Sequence, residues 1–256
     1  MTENSLIVLG SSSGLPQPNR ANSGYILKVG SSCSLIDCGG GVTSSFLKTG
    51  LDPLSVDRIF ISHAHSDHVC ELTLFIQLIY LRGRTPELEL YLPSEFVEVF
   101  YNYLDAVYLI KEKMPFAMKV IGYESGFEYS QDFSLKACPT RHLYKYKDLI
   151  DELKLPNRMQ CHCFVIEVGD SKVLYSADIG SLNDIILHLD SCRYAIVEST
   201  HIDIDEFLLV AAEKKVGKYI ITHLGSSDEV EVIRSKISKS GLKNVELAQD
   251  RLVLPI

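Results

Sequence analysis

Two patterns of hydrophobic and polar positions alternate along most of this chain. Short apolar runs bounded by glycine, proline, asparagine or serine predict β-strands, and longer stretches with apolar residues three or four apart predict helices. The predicted strands are 6–9, 25–29, 34–37, 58–61, 88–92, 119–121, 133–137, 164–168, 172–175, 195–198 and 218–222, with a short last strand. The predicted helices are 41–48, 69–81, 94–109, 182–189, 203–216 and 228–240. The pattern alone predicts an α/β protein.

Composition is that of a globular protein able to bury a large core. Of the 256 residues, 46% are hydrophobic and 23% are charged, and no linker, repeat or low-complexity tract divides them. We therefore predict one domain over 1–256. The net charge of −8 gives no general attraction to the phosphate backbone of a nucleic acid. This disfavours a large nucleic-acid substrate, although a local basic patch would change that.

The ends and the cysteines predict a cytoplasmic protein. Residues 1–4 lack the basic start and apolar core of a signal peptide, and no apolar run reaches 18 residues. The seven cysteines are scattered and odd in number, which does not suggest a disulfide framework. Cys161 and Cys163 flank His162. In an extended chain the two thiols face one side and the imidazole the other, and we interpret both cysteines as core residues. A homodimer is left open.

The most informative segment is Ser-His-Ala-His-Ser-Asp-His at 62–68, directly after the predicted strand 58–61. Three imidazoles and a carboxylate lie within six positions, and these groups suit zinc, manganese or iron. His63 and His65 are two residues apart and face the same side of an extended chain. Asp67 and His68 follow where the chain turns into a helix, so they can face a second ion. The segment predicts a metal site rather than a surface cluster.

This H-x-H-x-D-H segment resembles the ligand motif of the metallo-β-lactamase superfamily. The resemblance continues at His142, at Asp178 and at His223, of which the last two close apolar runs. Taken singly, each of those two could be a polar residue at a strand end. The resemblance implies a four-layer αββα sandwich, in which two mixed β-sheets are flanked by helices.

The same resemblance implies two divalent metal ions, expected to be zinc, with manganese or iron as alternatives. It implies one ion held by His63, His65 and His142, and a second held by Asp67, His68 and His223. Asp178 would bridge the two ions together with a water or hydroxide. On this interpretation Asp67 is both a metal ligand and a catalytic residue.

Two further segments are similar to the ribonuclease Z branch of the superfamily. They are the glycine- and proline-containing loop 9–20 and the segment Leu-Ile-Asp-Cys-Gly-Gly at 35–40. In that branch the residue at Asp37 orients a ligand histidine. Asp37 could instead simply begin a turn before the glycines.

Val-Glu-Ser-Thr-His at 197–201 extends the similarity to that branch. By position, His201 would donate a proton to the leaving oxygen, and Glu198 would orient His201. The chemistry is sound, because an alkoxide leaving group needs a proton. The alternative is that His201 only caps the following helix.

One departure from ribonuclease Z concerns substrate size. Those enzymes usually carry a protruding arm that clamps transfer RNA, and the sequence offers no such segment. Instead, residues 143–160 look like an inserted helical lid. It contains the aromatic and basic residues Tyr144, Lys145, Tyr146, Lys147 and Arg158. These could cover a substrate that has phosphate and ring groups, or they could form a solvated helix face.

The sequence therefore predicts a dinuclear metal-dependent hydrolase that uses a metal-bridging hydroxide. The expected activity is that of a phosphodiesterase related to ribonuclease Z, acting on a small phosphodiester or short nucleotide, with RNA less favoured and no membrane partner. A carboxylic-ester, lactone or thioester hydrolase is one alternative, and a non-hydrolytic biosynthesis accessory protein is another. Glu198 and His201 favour phosphorus chemistry, since a carbonyl substrate with a good leaving group needs less proton donation.

Overall fold

Two β-sheets pack face to face in the computed structural model, which describes residues 4–256. Within that range the first sheet has the strand order β14-β1-β2-β3-β4-β5-β6, and the second has the order β13-β12-β11-β10-β9-β8-β7. The strands are β1 (Ser5–Gly10), β2 (Gly24–Val29), β3 (Ser32–Ile36), β4 (Arg58–Phe60), β5 (Leu88–Pro93), β6 (Met118–Tyr123), β7 (Glu128–Ser130), β8 (Ser134–Pro139), β9 (His162–Val168), β10 (Ser171–Tyr175), β11 (Tyr194–Glu198), β12 (Lys218–Thr222), β13 (Val245–Leu247) and β14 (Val253–Pro255).

Helices cover the outer face of each sheet. They are α1 (Val42–Lys48), α2 (Ser66–Val69), α3 (Leu72–Leu81), α4 (Val97–Ala106), α5 (Lys147–Leu153), α6 (Ile204–Glu213) and α7 (Ser227–Ser240). Short 3₁₀ turns lie at Pro53–Ser55, Ser94–Phe96, Lys111–Lys113, His142–Tyr146 and Leu182–Asp184. None of the helices in residues 4–256 is long and apolar enough to span a lipid bilayer.

Three apolar layers account for the stacking. In β1, alternate side chains such as Leu6 and Val8 pack against the second sheet, whereas Ile7 and Leu9 pack under the helices. A third layer fills the space between the second sheet and helices α6 and α7. Strands covered on both faces are apolar throughout rather than alternating, which is why they read as continuous hydrophobic runs. The predicted four-layer αββα sandwich is confirmed.

The helix predicted over 182–189 is wrong. Only Leu182–Asp184 forms a 3₁₀ turn, and the segment continues as turns. The apolar spacing of Leu182, Ile185 and Leu189 looks helical because all three side chains are buried on the sheet. The carboxylate of Asp184 instead accepts hydrogen bonds from the backbone of Arg141 and Gly180, which favours a turn.

The predictions missed short strands at the edges of both sheets. Strand β7 was not predicted, and the one short last strand is in fact two, β13 and β14, which belong to different sheets. Each of these three strands is three residues long. A run that short carries too little period-two signal to be recognised, and its pairing partner decides its conformation.

Candidate metal centre

The predicted ligands come from several loops that meet at one end of the two sheets. The segment 62–68 follows β4, Asp178 follows β10, His223 follows β12, and His142 opens the 3₁₀ turn after β8. The backbone is in the left-handed region at Ala177 (φ 46°) and at His223 (φ 56°). Such conformations are costly for residues other than glycine, and they are typical of functional sites. They turn the chain sharply at each strand end and direct the side chains inward.

One group of side chains faces one oxygen of Asp178. The Nε2 atom of His142 lies 3.1 Å from Nδ1 of His65 and 3.4 Å from Oδ2 of Asp178. The Nε2 atom of His63 lies 3.8 Å from the same oxygen. One candidate ligand atom from each of these four residues lies within 4.8 Å of the others. The three imidazoles predicted for the first ion are therefore brought together.

A second group faces the other oxygen of Asp178. His68 Nε2 and His223 Nε2 lie 3.3 Å and 3.5 Å from Oδ1, and His223 Nε2 lies 3.0 Å from Asp67 Oδ2. These four residues also offer ligand atoms within 4.8 Å of one another. All seven predicted ligands thus form two adjoining groups that share Asp178.

The donor atoms fit divalent metal ions. Within residues 4–256, three buried atoms in these groups have no hydrogen-bond partner: His63 Nε2, His68 Nε2 and Asp178 Oδ1. A buried polar atom without a partner is costly, and metal coordination would remove that cost. Imidazole and carboxylate together are typical ligands of zinc and of other divalent transition metals.

The protonation states also suit coordination. Burial lowers the pKa of His63 well below its usual value and that of His142 to about 3, which leaves both imidazoles neutral. Burial opposes ionisation of Asp178, but the imidazoles of His223 and His68 outweigh it and lower the pKa of that carboxyl. Burial also disfavours the charged form of His68, but Asp178 and Asp37 raise its pKa on balance. A metal ion would compete with that proton.

Asp37 orients His68 from behind the site. Its Oδ2 atom accepts hydrogen bonds from His68 Nδ1 (2.7 Å), from Ser62 Oγ (2.8 Å) and from the hydroxyl of Tyr175 (2.7 Å). Its Oδ1 atom accepts one from the backbone N–H of Ser62 (2.7 Å). With Nδ1 engaged, Nε2 of His68 is left to face the metal site. The predicted contact between Asp37 and a ligand histidine is confirmed.

Glu198, which is buried, and His201, which is partly exposed, form a hydrogen-bonded pair beside the two groups. The carboxylate of Glu198 is fully buried, and it accepts hydrogen bonds from His201 Nδ1 (2.9 Å) and from the backbone N–H groups of Ile179, Thr200 and His201. Burial disfavours the charged imidazole of His201, but the hydrogen bond and charge of Glu198 outweigh it and raise its pKa. His201 is not the helix cap, because the side chain of Asp203 caps α6.

A cavity of about 590 Å³ opens over these residues. His201 lines it, and so does the opening loop through Ser13 and Gly14. A Cβ at Gly14 would lie 3.4 Å from the carboxylate of Asp67, an ordinary van der Waals distance, so this loop lies next to a predicted ligand. The loop 9–20 therefore forms part of one wall of the site, which the sequence analysis did not predict.

The segment predicted to be a lid contributes one basic residue to that cavity. Lys145 lines it, whereas Lys147 pairs with Asp151 at 2.7 Å and Arg158 pairs with Glu124 at 3.0 Å. The ring of Tyr146 packs 6.1 Å from that of His65, centroid to centroid. The segment thus contacts the candidate metal centre through Lys145 and Tyr146.

Several supporting residues were missed by the sequence analysis. Tyr175 ends an apolar strand, where the local pattern indicates only a core position, but its hydroxyl donates a hydrogen bond to Asp37. Thr200 Oγ1 lies 3.1 Å from His223 Nδ1. Asp250 anchors the opening loop by accepting hydrogen bonds from Ser11 and Ala21. Asp250 lies far from its partners in the sequence, and no local pattern could have identified it.

With this geometry in hand, comparison with known proteins decides the family. A family model described as "Anti-Pycsar protein Apyc1" matches residues 4–209, which is most of the chain. The chain belongs to the Anti-Pycsar protein Apyc1 family. Its matched region contains every residue of the candidate site named above except His223 and Asp250.

Relatives of this Apyc1 family member include two archaeal ribonucleases Z. The ribonuclease Z of Picrophilus torridus is 26% identical over 225 residues, which are 75% of this chain and 72% of that protein. The ribonuclease Z of Methanococcus aeolicus is 30% identical over 192 residues, which are 70% of this chain but only 55% of that protein. Among solved structures, the metallo-β-lactamase fold protein YhfI from Bacillus subtilis has a TM-score of 0.78 at 22% identity, and the match covers 98% of this chain and 99% of that one.

These comparisons place the Apyc1 family member in the metallo-β-lactamase superfamily, in its ribonuclease Z-like branch, and confirm that prediction. The chain is accordingly a metal-dependent hydrolase. The individual roles of its ligands and of His201 are not tested by these similarities, and they stay predictions.

The role of Asp178 as a shared ligand is tested by Asp178→Ala. Since its two oxygens face both groups, we expect the variant to bind less metal at both positions, as measured by inductively coupled plasma mass spectrometry. Asp228→Asn is the matched control, because Asp228 is an acidic residue that lines the same cavity but belongs to neither group. Unchanged metal content in a folded Asp178→Ala protein would contradict the assignment.

Proposed function

We propose that this protein is a phosphodiesterase that hydrolyses small phosphodiesters or short nucleotides with two divalent metal ions. The observation that carries the proposal is the position of Asp178, with Oδ2 facing His63 and His142 and Oδ1 facing His68 and His223. A carboxylate shared in this way is suited to bridging two ions. Two-metal sites of this kind are common in enzymes that cleave phosphate esters.

The chain's own residues would supply the ligands. We assign His63, His65 and His142 to one ion, Asp67, His68 and His223 to the other, and Asp178 to both. When bound, two such ions would supply a hydroxide at neutral pH and would offset charge on the phosphoryl oxygens. Zinc is the ion we expect, with manganese or iron as alternatives.

His201 is our candidate for the general acid. Its Nδ1 atom is engaged by Glu198 at 2.9 Å, so the proton available to a substrate is the one on Nε2. The imidazole is partly exposed, with 27% of its side chain accessible, and it lines the cavity. The hydrogen bond and charge of Glu198 raise the pKa of this imidazole despite burial, which shifts its equilibrium towards the protonated form. Such a group could protonate an alkoxide as it leaves phosphorus.

The cavity supports a small substrate. Its volume of about 590 Å³ is within the range for sites that enclose small molecules. Lys145 offers one positive charge at its wall, and the acidic residues Asp228 and Glu229 also line it. One cation suits one phosphate, whereas acidic lining residues and a net charge of −8 disfavour a long polyanion. We infer that the lid segment 143–160 covers the substrate through Lys145.

Replacing His201 by Ala tests the general acid. Turnover of phosphodiesters with alkoxide leaving groups should fall by about 10²–10⁴, while metal content stays unchanged because His201 is outside both ligand groups. Turnover of bis(p-nitrophenyl) phosphate, whose leaving group has a low pKa, should fall much less, and this substrate serves as the internal control. Equal losses for both substrates would indicate a role in binding instead. No loss at all, together with activity on lactones or thioesters, would favour an acyl hydrolase.

Glu198→Gln tests how the imidazole is supported. The NH₂ group of the glutamine would face either His201 Nδ1 or the backbone N–H groups whose hydrogen bonds Glu198 now accepts. The imidazolium would also lose its negatively charged partner. We expect a loss of about 10–100-fold, smaller than that of His201→Ala and with the same dependence on the leaving group. A stability measurement by thermal unfolding separates this effect from misfolding. A loss independent of the leaving group would argue against the assigned role.

Substrate size is tested by comparing precursor transfer RNA with a panel of dinucleotides and cyclic mononucleotides. We expect turnover of some small diesters, and weak transfer-RNA binding that falls steeply as salt rises. Bis(p-nitrophenyl) phosphate verifies that each preparation is active. Efficient 3′ processing of precursor transfer RNA at physiological salt would overturn the preference for small substrates.

A further inference from the structure

A second group of metal-ligating side chains lies on the outer face of the second sheet, away from the candidate metal centre. Cys138 in β8 and Cys163 in β9 are directly paired across the two strands. Their sulfur atoms and a ring nitrogen of His188 lie within 4.8 Å of one another. Both cysteines are buried and His188 is partly exposed. No residue of this group belongs to the site described above.

We propose that Cys138, Cys163 and His188 bind a zinc ion independently of the hydrolytic centre. Two thiolates and one imidazole are a typical zinc ligand set, and a water or other donor would complete the tetrahedron on the exposed side of His188. Zinc–sulfur bonds are about 2.3 Å, so ligand atoms in such a site lie about 3.3–3.8 Å apart. Three atoms already within 4.8 Å need only small side-chain movements to close around the ion.

The strand register favours a shared ion over a disulfide. The N–H of Thr140 donates to the carbonyl of Cys161, so the pair two residues along, Cys138 and Cys163, also occupies a hydrogen-bonded position of the antiparallel ladder. Cβ atoms at such positions lie about 5.5 Å apart. A disulfide prefers a Cβ separation of about 3.5–4.5 Å. The thiols therefore face one another at a spacing that suits an ion between them.

The electrostatics support thiolate formation at Cys138. The hydrogen bond from Cys163 lowers the pKa of the Cys138 thiol to about 7, although burial opposes the shift. The same hydrogen bond, together with burial, raises the pKa of the Cys163 thiol well above its usual value, so a zinc ion would have to displace that proton. Burial likewise raises the pKa of Cys33 and Cys192 to about 11. Binding would release the two thiol protons to solvent, and two thiolates would neutralise the charge of a Zn²⁺ ion. The bound site would thus bury no net charge.

Such an ion would fasten the segment that follows Asp178. His188 lies in the turns between Asp178 and β11, where the expected helix is absent. The carbonyl of His188 also accepts a hydrogen bond from the thiol of Cys192 at 3.2 Å. An ion joining His188 to β8 and β9 would tie this loop to the sheet at a second point. The effect expected of zinc is therefore greater stability rather than chemistry.

The test uses cobalt in place of zinc in the full-length, metal-stripped and reduced protein. Cobalt bound by thiolates gives a sulfur-to-metal charge-transfer band in the near ultraviolet, which the histidine and aspartate ligands of the other site do not produce. We expect the band in the wild type and in Asp178→Ala, so the result does not depend on the proposed function. Zinc added to the cobalt protein should remove the band by displacement.

Variants locate the site. Cys138→Ser should abolish the band, and His188→Ala should weaken cobalt binding at least about tenfold while leaving both buried cysteines in place. Cys70→Ser, which removes the exposed thiol, is the matched control and should keep the band. Absence of the band, its loss in Cys70→Ser, or its persistence in a folded Cys138→Ser protein would overturn the proposal. So would a disulfide between Cys138 and Cys163 in protein purified without a reductant.

Discussion

The burial of the Asp178 carboxylate between two groups of imidazoles is the constraint on which the rest of the site depends. An isolated carboxylate in that position would be strongly destabilising. It is tolerated because imidazoles approach both of its oxygens, and they lower its pKa despite burial. In the same arrangement, three buried atoms that could bind a metal have no hydrogen-bond partner within residues 4–256: His63 Nε2, His68 Nε2 and Asp178 Oδ1. Cations bound on either side of Asp178 would give these atoms a partner.

Other buried carboxylates hold this arrangement in place. Asp37 fixes His68 and the loop at Ser62 from one side. Glu198 fixes His201 and the backbone after Asp178 from the other, through the N–H of Ile179. Each accepts several hydrogen bonds, which offsets the cost of burying its charge. The ligands are positioned by these contacts rather than by the strands alone.

Two segments outside the sheets contribute to the walls of the cavity. The opening loop is anchored through the contacts of Asp250 with Ser11 and Ala21. The segment 143–160 packs against the centre through Tyr146 and presents Lys145 to the cavity. Residues on such segments can vary substrate preference without altering the metal ligands.

The sequence alone identified the candidate ligands of the site, because most of them are concentrated in a short motif. Residues 62–68 contain four of the seven candidate ligands, and Asp178 and His223 stand at the ends of runs that sheet periodicity marks clearly. The order of strands and helices, together with the family pattern, was enough for the sandwich. Helix prediction failed at 182–189, where burial on a sheet produced the same apolar spacing as a helix.

Only the tertiary structure decided the contacts between residues distant in sequence. Tyr175 reaches Asp37, and Cys138 meets Cys163 and His188, because strand pairing and sheet packing bring separate segments together. The structure also distinguished His201 from a helix cap, since Asp203 performs that role and Glu198 holds the imidazole. Local patterns record which side chains are available. Which of them meet is set by the packing of the whole chain, and a single sequence carries no local signal of that.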